Sequence, residues 1–175
     1  MGLCLRDMDV GGVFPSVSRN LDCLMQYEFV THWSFPAPLS SVWDAIYHSE
    51  SWPEWWQGTL RVAELLPGDS DGIGNVRRFS WRGCLPYTLT VEMELLRLEK
   101  FRRIEARARG ELEGVGVWTF SHHGGLTSVR YDWRVSTQKP WMNILGPIAK
   151  PVFRWNHNVV MRRGERGLKN LLSAK

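Results

Sequence analysis

The sequence predicts an α+β domain in which a curved antiparallel sheet of about seven strands wraps around one long C-terminal helix. Three observations carry this reading. Residues 27–35, and then six stretches between Leu60 and Thr137, alternate apolar with polar side chains as half-buried strands do. Short turn-forming segments separate those stretches, which argues for an antiparallel meander with one wet face and one buried face. After Pro140 the period becomes helical, and the apolar helix face needs a cover that only the apolar strand faces are large enough to supply.

In chain order, residues 1–25 show no sustained period and read as a loosely ordered arm. The domain then runs over 26–173, and a translation start at Met25 would leave the arm outside the native chain. Tyr27, Phe29, Thr31, Trp33 and Phe35 form the inner face of the first strand, against Glu28, Val30, His32 and Ser34. Pro36 and Pro38 end it. Ser40 or Ser41 is placed to cap a short helix through Val42, Trp43, Ala45 and Ile46. A second short helix follows at Trp52-Pro53-Glu54-Trp55-Trp56, with Ser51 as cap and Gly58 as its end.

Strands are expected at Leu60–Leu66, Asn75–Arg82, Tyr87–Leu98, Arg102–Arg109, Val115–Ser121 and Thr127–Thr137. The helix is expected over Trp141–Ser173, irregular at first because of Pro147 and Pro151. At 100° per residue, a face about 160° wide collects Phe153, Asn156, His157, Val160, Met161, Gly164, Gly167, Leu168, Leu171 and Leu172. Asn158, Arg162, Glu165, Arg166 and Lys169 take the opposite side.

Composition narrows the function classes. The 175 residues suit one domain, and a hydrophobic fraction of 43% is ordinary for a globular chain. Ten Trp are an excess that fits the wall of a partly wet cavity, or a plain aromatic core. Cys4, Cys23 and Cys84 have no metal or redox spacing and read as free thiols of a cytoplasmic protein. No apolar run reaches the ~20 residues of a membrane span.

The formal charge of +4 is uneven, with seven Lys or Arg against one acid in 141–175. No nucleic-acid motif accompanies these charges, so they read as a solvated helix face. Transient membrane contact stays open, and oligomeric state is unassigned. Gly72-Ile73-Gly74 lacks the rest of a phosphate loop, and His122-His123 are adjacent on a turn with no carboxylate near, so neither a cofactor nor a metal is expected.

The order strand, two short helices, six strands, long helix resembles the helix-grip fold of the START-like superfamily, the polyketide cyclase/dehydrase and lipid-transport superfamily. The likeness rests on Phe35-Pro36-Ala37-Pro38 with Val42-Trp43, and on Trp52-Pro53-Glu54-Trp55-Trp56. A bacterial branch is resembled by Tyr131-Asp132-Trp133-Arg134-Val135 running to Lys139-Pro140-Trp141-Met142, and by Trp155-Asn156-His157 through Val160-Met161 to Gly164 and Gly167-Leu168. It implies a cavity for a small hydrophobic ligand, bordered by the short Trp-rich helix.

The residues themselves point to the same cavity. Asn156 and His157 are polar on an apolar helix face, and an unpaired buried polar group costs about 1–3 kcal/mol, so each needs a partner. That partner is a ligand or its waters, the sheet backbone, or the other of the two. Ala106 and Ala108 make one strand face small, opposite a helix that is itself small at Gly164 and Gly167, which leaves volume to fill. Trp118, Tyr131, Trp133, Phe79, Trp81, Tyr87 and Met93 on the strands, Met161 on the helix and Trp56 at the mouth are expected to fill or line it. Trp52, Trp55 and Trp56 act there as a lid or as a plug.

The leading expectation is a non-catalytic binder or carrier of a lipid, quinone or aromatic metabolite. The alternative is a cyclase, aromatase or dehydratase with His157 as general acid/base and Asn156 as a carbonyl donor. A third is a protein-interaction module using Arg162, Arg163 and Arg166.

Overall fold

The computed structural model describes residues 26–137 and 146–174. Strand β1 (Gln26–Phe35) leads into α1 (Leu39–Tyr47), a 3-10 turn (Ser49–Ser51) and α2 (Trp52–Trp55). Six strands follow: β2 (Thr59–Leu66), β3 (Val76–Trp81), β4 (Leu89–Glu99), β5 (Arg103–Gly110), β6 (Leu112–His123) and β7 (Leu126–Thr137). Helix α3 (Gly146–Ser173) closes the chain. All neighbours pair antiparallel in the order β1-β7-β6-β5-β4-β3-β2. This is the helix-grip arrangement.

The expected arm 1–25, with Cys4, Cys23 and the Met25 start, lies outside the described residues, as do Lys139–Met142 at the expected start of the helix. Other boundaries move by a few residues. β6 begins at Leu112 and continues through His122 and His123, which pair with Thr127 and Leu126, so the histidines end a strand rather than form the turn. Gly124 and Gly125, both at positive φ, make that turn. Neither Ser40 nor Ser41 caps α1. The cap position is Pro38, whose carbonyl accepts the Val42 N–H at 3.3 Å. Ser51 occupies the cap of α2, but its hydroxyl donates to the His48 carbonyl instead.

The largest core cluster gathers where β1, α1, α2 and the middle strands meet the C-terminal half of α3. Phe35, Val42 and Leu168 are fully buried there, with Trp33, Trp43, Trp52, Trp56, Trp118 and Met161 nearly so. A smaller cluster, Tyr27, Val91, Ala108, Trp133 and Val135, lies near the other end of the sheet. Aromatic rings hold the first cluster together: Trp33 and Trp52 each meet both Trp56 and Trp118, which also meet one another, at 4.7–6.5 Å between centroids, edge-on or tilted.

Helix α3 packs mainly on β1, α1 and α2. This corrects the expectation that its two glycines face a small strand surface. A Cβ on Gly164 would overlap the Trp56 ring, and one on Gly167 would overlap the Trp55 carbonyl. The Trp56 indole N–H donates to the Val160 carbonyl at 2.9 Å, so α2 is seated in a notch cut by the two glycines. The notch, not an empty space, is what the missing side chains serve. Trp52 and Trp56 therefore plug the core edge.

Candidate functional site: an apolar cavity between sheet and helix

A cavity of about 300 Å³ lies between the inner face of the sheet and α3. Strand register explains it. Leu95, Ala106, Gly116, Trp133 and Phe29 stand directly opposite one another across β4, β5, β6, β7 and β1. Ala106 and Gly116 sit side by side in that row, so the sheet floor is hollow at its centre. Gly116 is obligatory, because a Cβ there would meet the Tyr131 hydroxyl at 2.6 Å and the Trp133 ring at 2.9 Å. Tyr131 stacks on Trp118 at 4.0 Å between centroids and extends the floor toward β1.

Of the residues expected at a cavity, Asn156, His157, Trp133, Trp118, Tyr131, Phe79, Trp81, Met93, Ala106, Met161 and Trp56 all line it. Ala108 does not. It shares a face with Ala106 but is 1% exposed, packed among Val91, Trp133 and Val135 in the second cluster. Small size on the inner face was the signal for both residues, and it cannot tell an open floor from one that larger neighbours have closed over.

Tyr87, expected at the cavity as well, also lines it, whereas sequence reading missed several lining residues, among them Tyr27, Phe29, Arg77, Phe153 and Val160. For Arg77 the signal was present: it stands two residues before Phe79 on the same strand face. Its side chain lines the cavity beside Glu64 and Asn75. The guanidinium donates to the Tyr47 carbonyl at 3.2 Å, closing the C-terminus of α1, and to the Ser49 hydroxyl at 2.9 Å. It also pairs with Glu50 at 3.1 Å and approaches Glu64 at 3.9 Å. Asn75, another lining residue, donates to the same Glu64 carboxylate at 2.8 Å. That end is polar but internally satisfied.

The other end is built from Tyr27 and Phe29 on β1 and from Phe153, Asn156 and His157 on α3. Phe29 stacks on the His157 imidazole at 4.1 Å, and Phe153 meets Tyr27 edge-on at 5.6 Å. The two polar neighbours on the helix diverge. Asn156 accepts the Cys84 backbone N–H at 2.8 Å and lies against Gly83, so it ties the β3–β4 loop to α3. Arg163 adds a contact to the Cys84 sulfur at 3.6 Å. His157 Nε2, by contrast, is buried with no hydrogen-bond partner among the described residues, and so is the Tyr27 hydroxyl.

Electrostatics at the cavity favour neutral groups. Burial pushes His157 down to about 4, so its ring is uncharged at neutral pH. Burial, then the nearby Glu111 carboxylate and Tyr27, push Tyr87 up to about 12. Burial also raises the Tyr131 phenol. Arg134 is exposed, on the outer face of β7, and takes no part. Among the described residues no cluster of His, Cys, Asp and Glu is arranged to hold a metal ion.

These features define a cavity protein of the helix-grip class. Residues 26–173 match the model of the family described as "Polyketide cyclase / dehydrase and lipid transport", and the chain belongs to that family. The fold is similar to several solved structures. The START superfamily protein from Mycobacterium smegmatis superposes with a TM-score of 0.68 at 10% identity, over 84% of this chain and 97% of that one. The ZhuI aromatase/cyclase from Streptomyces sp. R1128 gives 0.66 at 13%, over 85% and 94%. The di-domain ARO/CYC BexL from the BE-7585A biosynthetic pathway gives 0.67 at 19%, over 86% of this chain and 51% of that one, so the chain spans about half the length of that relative. A search of curated protein sequences finds no match.

Proposed function

We propose that the protein binds or carries a small hydrophobic molecule, such as a lipid, quinone or aromatic metabolite, in the cavity between the sheet and α3. The observation that carries the reading is the hollow itself. Interiors pack to crystal-like density, and a volume of about 300 Å³ at the floor of an otherwise well-packed aromatic core is in the range of ligand sites. The family description and the START superfamily neighbour are consistent with it.

The test is extraction and native mass spectrometry of the purified protein, followed by titration with hydrophobic probes. A single small apolar species bound one to one supports the reading. No occupancy in either measurement overturns it.

A cyclase, aromatase or dehydratase is the second reading, and the aromatase/cyclase neighbours speak for it. His157 would be its general acid/base. Two observations weigh against that role. An imidazole held down to about 4 is a weak base at neutral pH, and among the described residues no carboxylate orients its ring. Unaltered turnover in His157→Ala would remove the mechanism.

A further inference from the structure

The inner face of β7 carries Thr127, Val129, Tyr131, Trp133, Val135 and Thr137, and all but Tyr131 are buried. Tyr131 keeps accessible area on that face, and as a lining residue it opens that area to the cavity. Its ring is held in place by stacking, on Trp118 at 4.0 Å between centroids and on Trp133 at 5.8 Å. The hydroxyl reaches across to β6, where Gly116 makes room for it: a Cβ on Gly116 would stand 2.6 Å from Tyr131 Oη. Ala106 is the direct neighbour of Gly116 on β5, so the hydroxyl stands at the shallowest part of the floor. Tyr131 Oη makes no hydrogen bond to any described residue. Burial alone acts on the phenol and raises it, so it stays a neutral donor. Tyr27 Oη and His157 Nε2 also lack partners among the described residues, but packing seals those two atoms off from a ligand. Tyr131 offers an unpaired donor that a ligand can reach, in a place a glycine keeps clear for it.

Resting on the cavity reading above, we infer that the ligand carries an acceptor oxygen in the middle of a compact ring body, as a ketone or quinone does, and that this oxygen accepts the hydrogen bond of Tyr131 Oη over Gly116. The position of the hydroxyl decides the class. It lies at the centre of the floor and not at a rim, so a molecule with its polar group at one end would lay methylene groups across it. The donor would then be left unpaired and dry, which costs more than the apolar contact there returns. A ring compound with an oxygen part-way along its body meets the phenol and the apolar floor together. Tyr131 is then a specificity-determining residue, and Gly116 is a positioning residue that holds space for its hydroxyl.

Fluorene and 9-fluorenone test this on the full chain. They are planar and nearly equal in size, and they differ by CH2 against C=O at the central carbon. Each is titrated in competition with N-phenyl-1-naphthylamine, on the wild-type protein and on Tyr131→Phe, which removes the hydroxyl alone. One hydrogen bond predicts that the affinity of 9-fluorenone relative to fluorene falls about five- to tenfold in Tyr131→Phe, while fluorene binds as before. Infrared spectroscopy supplies a readout that needs no variant. The carbonyl stretch of 9-fluorenone bound to the wild-type protein should lie below its frequency in cyclohexane. An unchanged ratio in Tyr131→Phe, or a bound carbonyl at the cyclohexane frequency, overturns the inference and leaves the cavity reading standing. The same holds if the naphthylamine binds and 9-fluorenone does not displace it. If no probe binds, the cavity reading itself fails.

Discussion

His157 shows how one side chain can be placed by the sequence yet have its role set by its surroundings. Its position on the apolar face of α3 follows from helical arithmetic. That its ring stacks on Phe29 while Nε2 finds no partner does not, because the stacking depends on where β1 passes under the helix. The consequence is measurable. The folded protein holds His157 neutral down to about 4, whereas an unfolded imidazole takes up a proton near 6.5. Between those values the unfolded state binds more protons, so stability falls as pH drops through this window and is complete above it. The loss reaches at most about 3 kcal/mol. Urea unfolding at pH 7 and pH 4.5 should show the drop in the wild-type protein and a smaller one in His157→Leu. Equal drops would mean that other groups carry it.

At the scale of elements, the two glycines of α3 make the sharpest contrast between reading and structure. A helical Gly costs about 1 kcal/mol against Ala, so Gly→Ala alone would stabilise α3. Here steric overlap wins. Overpacking costs about 1–3 kcal/mol, and at Gly167 the obstacle is the Trp55 backbone carbonyl, which cannot rotate away as a side chain does. Gly164→Ala and Gly167→Ala should both lower the urea midpoint, Gly167→Ala more. A second element-level prediction concerns the β3–β4 loop. Asn156→Ala removes the acceptor for the Cys84 N–H, at a cost of about 1 kcal/mol, and frees a loop that lines the cavity through Gly83, Leu85 and Tyr87. Hydrogen exchange over residues 82–88 should speed up in that variant, with the rest of the sheet unchanged.

The same contrast explains what was legible. The strand faces, their antiparallel order and the buried face of α3 are read from periodicity, because a period of two or 3.6 records which side of an element meets the core. Trp133, Trp118 and Phe79 follow from those faces. The seat of α2 on Gly164 and Gly167 was not legible: the need for small residues is visible in sequence, but their partners lie far earlier in the chain, Trp56 for Gly164 and Trp55 for Gly167. Arg77 was legible by alternation, yet a charged residue on an inner face contradicts the usual pattern, and only its four neighbours show how the position is tolerated. Ala108 fails for a related reason, since closure by larger side chains is a tertiary fact.

For the whole molecule, the sheet supplies a hollow floor, α3 the roof, Arg77 one polar end and the Tyr27–His157 wall another part of the lining. The aromatic core around Trp52, Trp56 and Trp118 is packed without help from a ligand, so filling the hollow should leave the fold intact. Ala106→Trp puts an indole into the floor beside Gly116 and tests this directly. Titration with N-phenyl-1-naphthylamine, a neutral probe whose fluorescence rises in apolar surroundings, should show saturable one-to-one binding to the wild-type protein. The account predicts that Ala106→Trp abolishes this signal while the melting temperature is kept. Binding that survives the filled hollow, or no saturable binding to the wild-type protein, would contradict it.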